Sequence, residues 1–200
     1  MARQPIIIGI ANAKTGDTLF DICTKVNANE TELYADVALL TGLTKTYWFD
    51  AADTLTSTTP ISHTGGATGT YLTNNAIGAS TTSYNPDSND ALWNPSTNKF
   101  DFSSLKIGDT VEGRIDLTIT NAAAQEINIM FSLAETTAPF ELIIDHTYYK
   151  TAATGTPVTA LFKMYVGSND VKNGGARFRF VSADAATIQV NGWFYEITEV

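Results

Sequence analysis

The stretch "TVEGRIDLTIT", Thr110–Thr120, decides the fold class. Val111, Ile115, Leu117 and Ile119 fall on one side of an extended chain, and Glu112, Arg114, Asp116 and Thr118 on the other, because successive side chains of a strand point to opposite faces. That is a half-buried antiparallel strand. The alternation returns downstream with Ile127, Ile129, Phe131 and Leu133 in "QEINIMFSLA", and with Val158, Ala160, Phe162, Met164 and Val166 in "PVTALFKMYV". It returns again with Phe178 and Phe180 in "ARFRFV", and with Ile188, Val190 and Phe194 in "ATIQVNGWFYEI". "FELIIDHTYYK" adds one or two strands, and "TKTYWFD", Thr44–Asp50, supplies the first. Seven or eight strands separated by Asn, Gly, Ser and Pro clusters, with no second helix pattern, predict a mainly β fold. The expected architecture is an antiparallel, jelly-roll-like β-sandwich over residues 43–200. At about 1.5–3 kcal/mol per buried large side chain, its inward faces supply enough burial for a self-sufficient core.

Between the first strand and the alternating region lies a tract at about 53–97, dominated by Thr, Ser, Asn, Gly and Ala. Tyr71, Leu72, Ile77, Tyr84, Leu92 and Trp93 are spaced through it like pegs, so it reads as a long irregular excursion pinned onto a sheet and exposing functional surface.

Residues 1–42 read differently. "PIIIGI", Pro5–Ile10, is an extended arm, and "GDTLFDICTKVNANETELYA", Gly16–Ala35, is an amphipathic helix that Asp17 can cap and Gly42 can stop. Leu19, Ile22, Val26, Leu33 and Leu40 recur at spacings of three, four and seven, forming one apolar stripe. Asn29 followed by Glu32 is a second capping pattern, which leaves open a break into two helices near "NAN". An isolated helix of this length is marginal in water, so the stripe needs an apolar partner. With the sandwich closing its own core, Leu19, Ile22, Val26, Leu33, Tyr34 and Leu40 become attachment or oligomerisation residues. A short trimeric stem fits the heptad spacing, although Asn29 and Asp36 interrupt it. The plainer alternative packs the helix on its own sandwich.

The 12 Lys and Arg against 21 Asp and Glu give a formal charge of −9, and the basic residues are scattered, which disfavours direct nucleic-acid binding. The lone cysteine, Cys23, excludes an internal disulfide framework and reads as a small apolar helix residue. No apolar run matches a signal-peptide core or a membrane span of about 20 residues, so a soluble protein without a secretion signal or membrane partner is expected.

The titratable residues suggest little chemistry. His63 lies in the polar tract, and His146 follows Asp145 in "IIDHTYY", where strand neighbours point to opposite faces unless a bulge intervenes. "GSNDVKNGG", Gly167–Gly175, lacks the paired carboxylates of a calcium loop and reads as a plain turn. The glycines of "HTGGATGT" do not bridge a strand and a helix as a phosphate cradle would. No cofactor, metal site or enzymatic activity is expected. A carbohydrate-active enzyme requires a convergent carboxylate pair, for example Glu135 with Glu141.

The aromatic residues carry more information. Strict alternation places Trp193 and Tyr195 opposite Ile188, Val190 and Phe194, where Tyr148, Tyr149, Tyr165, Leu161 and Val181 would join them on a second apolar face. Tyr71, Tyr84, Trp93, Tyr165, Trp193 and Tyr195 thereby become candidates for a subunit interface or a receptor surface that stacks on sugar rings. Trp193 alternatively only covers the sandwich edge.

The segment "IIIGIANAKTGDTLFDICTKVNANETELYA" resembles the short N-terminal attachment module of many tailed-bacteriophage virion proteins: an extended start, a "TGD" turn, a "KVNAN" core and a closing "ELY". Gly16 and Asp17 match the turn and cap, Leu19, Val26, Asn27 and Asn29 the core, and Leu33 and Tyr34 the end. Glu30 departs from the pattern, standing where a large aromatic is usual, which implies either a narrower docking face or a different partner. "FDFSSLKIGDTVEGRIDLTIT" with the "VNGWFYEI" ending is similar to β-sandwich domains of phage structural proteins. The resemblance implies a non-enzymatic virion protein assembled in the host cytoplasm, commonly homotrimeric, bound to a major capsid or tail protein. A capsid decoration (cement) protein or short head fibre is expected. The alternative is a tail fibre or receptor-binding protein that recognises a host-surface glycan.

Overall fold

The structure, a computed structural model, describes residues 25–30, 45–77 and 91–200. The chain divides into two units, Met1–Thr44 and Lys45–Val200. In the first, residues 25–30 are helical and Val26 is exposed. The expectations placed on "PIIIGI", Asp17, Leu19, Ile22, Cys23, Leu33, Tyr34, Leu40, Gly42 and Tyr84 lie outside the described residues.

The second unit is a two-layer antiparallel β-sandwich with eleven strands among the described residues. One sheet has the order β1 (Lys45–Ala52), β11 (Ala186–Glu199), β6 (Thr110–Asn121), β9 (Ala153–Tyr165), with β2 (Ile61–His63) also pairing β11. The other has the order β4 (Trp93–Asn94), β5 (Lys99–Phe100), β10 (Ala176–Ser182), β7 (Gln125–Leu133), β8 (Phe140–Tyr149), with β3 (Gly66–Tyr71) also pairing β10. The alternating segments are the central strands, and Val111, Ile115, Leu117, Ile119, Ile127, Ile129, Phe131, Phe178 and Phe180 are all buried. Rings from opposite layers meet: Phe131 and Phe162 lie 4.9 Å apart between centroids, and Phe178 and Trp193 5.2 Å. The described core contains no residue before Tyr47.

Strict alternation fails in β11. Val190 pairs Leu117 and Gly192 pairs Asp116, so Asn191 is an extra residue, a β-bulge that reverses the inward phase. Beyond it Trp193 and Tyr195 are 1% exposed, and Phe194 turns to the outer face. Trp93 is buried too, and its Nε1 donates to the Asn74 carbonyl at 2.9 Å. The assignment of Trp93, Trp193 and Tyr195 to an outer interface or receptor surface is therefore corrected. All three belong to the core.

Two further corrections concern loops. Part of the 53–97 tract is ordered as β2, β3 and β4, and Thr56 anchors it by donating to the Val190 carbonyl at 3.0 Å while accepting from Val190 N at 2.8 Å. Asp53 holds the same turn, accepting from Thr56 N, Thr56 Oγ1 and Asn75 N. Leu72 and Leu92 are pegs as expected, whereas Ile77 stands in solvent. The Gly167–Gly175 turn contains a short helix, α1 (Asn169–Gly174), where no second helix was expected. Ser168 caps it by accepting from Val171 N, and Val171 buries its inner side.

Candidate functional site

The feature that the core does not explain is the side of the sandwich where β8 and β9 run. Each is the last strand of its sheet: among the described residues β8 pairs β7 alone and β9 pairs β6 alone. Three residues join them, so the two edges face the same side. Phe140 and Leu142 sit opposite Leu133 and Phe131 in register, which gives them the inward phase. They nevertheless remain 45% and 37% exposed. Between the two edges lies a cleft of about 390 Å³, lined by Leu133, Phe140, Leu142, Met164, Tyr165 and Val171 among others. Ile143, on the other face of β8, and Leu161 and Tyr165, on the outer face of β9, are each more than half exposed.

A polar network flanks this apolar edge on the outer face of the second sheet. Arg179 forms an ion pair with Glu141, which also accepts from Ser132 Oγ at 3.1 Å. Tyr71 donates to Glu135, while the Arg177 guanidinium lies 5.0 Å from the Tyr71 ring centre. That hydrogen bond, aided by burial, holds the Tyr71 phenol above its ordinary pKa. Glu135 and Glu141 are thus each taken by their own donor, and Tyr71 belongs to a latch tying β3 to the strands beside it.

The histidines are also placed by local bonds. His63, on β2 of the first sheet, is buried against the second, with Nδ1 2.8 Å from Thr70 Oγ1 on β3 and Nε2 3.1 Å from the Ser182 carbonyl on β10. His146 is exposed, its Nδ1 between Asn128 Oδ1 at 2.8 Å and Glu126 Oε1 at 3.2 Å. Ile144 is the extra residue of a bulge in β8, yet Asp145 pairs Ile129 and His146 pairs Asn128, on opposite faces. Among the described residues no three His, Cys, Asp or Glu side chains gather to hold a metal ion.

A second surface lies on the outer face of the first sheet. A shallow concavity of about 590 Å³ is lined by Phe194, Leu161, Glu112, Arg114, Lys163 and Glu196 among others. Lys163 pairs with Glu112 at 2.5 Å, and Arg114 with Asp116 at 3.1 Å. Glu196 lies directly opposite Glu112 in register, a like-charge arrangement that costs stability unless a cation or ligand offsets it.

Of the surface residues expected from sequence, Tyr71 and Tyr165 are exposed, and only Tyr165 joins the cleft. Phe140, Leu142 and Ile143 were not singled out. Their signal is in "FELII", where Leu142, Ile143 and Ile144 follow one another and so put apolar side chains on both faces of the strand.

Compared with protein families and with curated proteins, the sequence gives no match. Solved structures do align. A chain in the structure of infectious bursal disease virus Gt strain superposes with a TM-score of 0.42 at 12% identity, over 79% of this chain and 34% of its own. A Gx strain chain gives 0.37 at 10% identity, over 78% and 32%, and a chain of the crystal structure of the T13 particle of the same virus gives 0.34 at 11%, over 78% and 35%. This chain spans about a third of the length of those it matches. The sandwich itself stands on its hydrogen-bonded register, independently of these alignments.

Proposed function

We propose that this protein is a non-enzymatic structural component of a tailed-phage virion, a capsid decoration protein or short head fibre whose copies associate as homotrimers. The observation that carries this reading is the division of labour in the chain. Among the described residues the sandwich core begins at Tyr47, and the segment that resembles a virion attachment module lies before it in sequence. In this reading that amphipathic segment serves a major capsid or tail protein. The exposed apolar edge of β8 and β9 supports association of copies. The copy number per purified virion, measured by quantitative mass spectrometry against the major capsid protein, tests it. A number equal to the capsid protein or a simple fraction of it supports decoration, and absence from the virion overturns the reading.

A second reading, a receptor-binding appendage for a host-surface glycan, draws on the concavity around Phe194. There an aromatic ring sits among carboxylates and cationic groups of the kind that fix sugar hydroxyls. A small multiple of three copies per particle, together with glycan-array binding lost on Phe194→Ala, favours it.

A further inference from the structure

We propose that the β8 edge is the contact between copies of this chain: its outer backbone edge takes a strand of a second copy, and Phe140, Leu142, Ile143 and Tyr165 are buried there. The proposal rests on the self-association reading above and specifies its surface.

An edge strand presents a row of backbone N–H and C=O groups that will template another strand, and proteins that stay monomeric guard such edges with charges such as Lys, with Pro, with bulges or with short length. The two edges on this side differ in that respect. β9 carries Pro157 and Lys163. β8 runs for ten residues, "FELIIDHTYY", with neither Lys nor Pro, and its bulge at Ile144 leaves Phe140–Ile143 in continuous register with β7. The unguarded part of the edge is also its most apolar part.

Charge points to a like copy. At a net charge of −9, two copies repel through most of their surfaces. Along Phe140–Ile144 the one charged residue is Glu141, and Arg179 already neutralises it. An edge without uncompensated charge suits another copy of itself, where a basic partner would find stronger attraction elsewhere. Phe140, Leu142, Ile143 and Tyr165 are 45%, 37%, 59% and 66% exposed, leaving on the order of 400 Å² of apolar surface if each ring or branched chain offers roughly 200 Å². The facing copy, whatever strand it adds, buries a matching area of its own, and with the paired backbone this reaches the roughly 1,000 Å² that a specific interface requires. Strand addition supplies main-chain hydrogen bonds, and the cleft beside Tyr165 supplies a pocket for side chains of the incoming strand.

The test is the mass of the full chain by sedimentation equilibrium across the micromolar range, for the wild type, Ile143→Lys and Ile143→Thr, with Ile77→Lys, at a solvent-facing position outside both surfaces, as control. The wild type is expected to associate, Ile143→Lys to weaken association at least about tenfold with unchanged circular dichroism, and Ile77→Lys to behave as wild type. Ile143→Thr, which keeps a β-branched side chain, gives an intermediate loss and serves if the lysine variant misfolds. A wild-type oligomer indifferent to both Ile143 changes overturns the β8 proposal and leaves self-association standing. A wild type that stays monomeric at the highest concentration overturns both, while the virion location is judged separately by copy number.

Discussion

The indole of Trp93 meets that of Trp193 edge to face, with ring centroids 4.6 Å apart and ring planes at 78°. Trp93 belongs to the second sheet and Trp193 to the first, so this pair joins the layers, and Phe100 and Phe178 complete the cluster around it. Replacing Trp193 by Ala removes a fully buried ring whose surroundings close only partly. The expected loss is about 3–5 kcal/mol, read as a lower denaturation midpoint in guanidinium. A cost below about 1 kcal/mol would mean that the ring does not bridge the sheets.

Gly192 makes that geometry possible. Its φ of +156° follows the Asn191 bulge, and a Cβ added there would lie 2.9 Å from the Ala51 carbonyl oxygen. Gly192→Ala is expected to destabilise the sandwich by about 1–3 kcal/mol through backbone strain. Deleting Asn191 is expected to be far worse, because the remainder of β11 would present Phe194 instead of Trp193 and Tyr195 to the core. Thermal unfolding of the two variants side by side checks the order.

Alkaline pH probes the same strand. Burial raises the Tyr195 phenol far above its ordinary value, only partly opposed by the backbone N–H groups of Trp93 and Leu92. A phenol whose folded pKa lies above its unfolded value of about 10 stabilises the fold fully below pH 10, and that stability is lost as pH rises further. The expected slope is about 1.4 kcal/mol per pH unit for this one group above pH 10. Tyr195→Phe removes that contribution, so urea unfolding of the variant between pH 9 and pH 11 should decline less steeply than that of the wild type. Parallel declines would show that Tyr195 ionises as readily folded as unfolded.

These residues also show how far the fold was readable in advance. Alternation in Thr110–Thr120 and its repeats was enough for the sandwich, because a half-buried strand imposes a period of two on its side chains. One inserted residue defeats that rule, and a bulge is set by pairing with distant strands: Asn191 donates to Thr118 on β6, and Gly192 lies against β1. The outer placement of Trp193 and Tyr195 therefore followed correctly from a pattern that ends at Val190. "NG" within a strand was the available hint. The apolar edge at Phe140–Ile143 was harder to read, since a run of apolar residues looks the same in a buried central strand as in an exposed terminal one. Strand order decides between them, and order is not written in any single segment.

The last prediction separates the two parts of the chain. Among the described residues the core begins at Tyr47, and bonds within Lys45–Val200, such as Thr56 to Val190 and Val200 N to Asp109 Oδ1, anchor its loops. Removing residues 1–44 should therefore leave a sandwich with the cooperative unfolding and denaturation midpoint of the full chain. In the proposed role it should also abolish incorporation into particles, as measured by the copy number of the truncated chain in purified virions. Val26→Asp in the full chain should weaken incorporation and leave the denaturation midpoint of the sandwich unchanged, since Val26 is not among the core residues of Lys45–Val200. A truncated chain that unfolds would make the N-terminal segment part of the sandwich's own stability. A truncated chain that still enters particles in full number would move the attachment surface onto the sandwich, with the concavity around Phe194 as the first place to mutate.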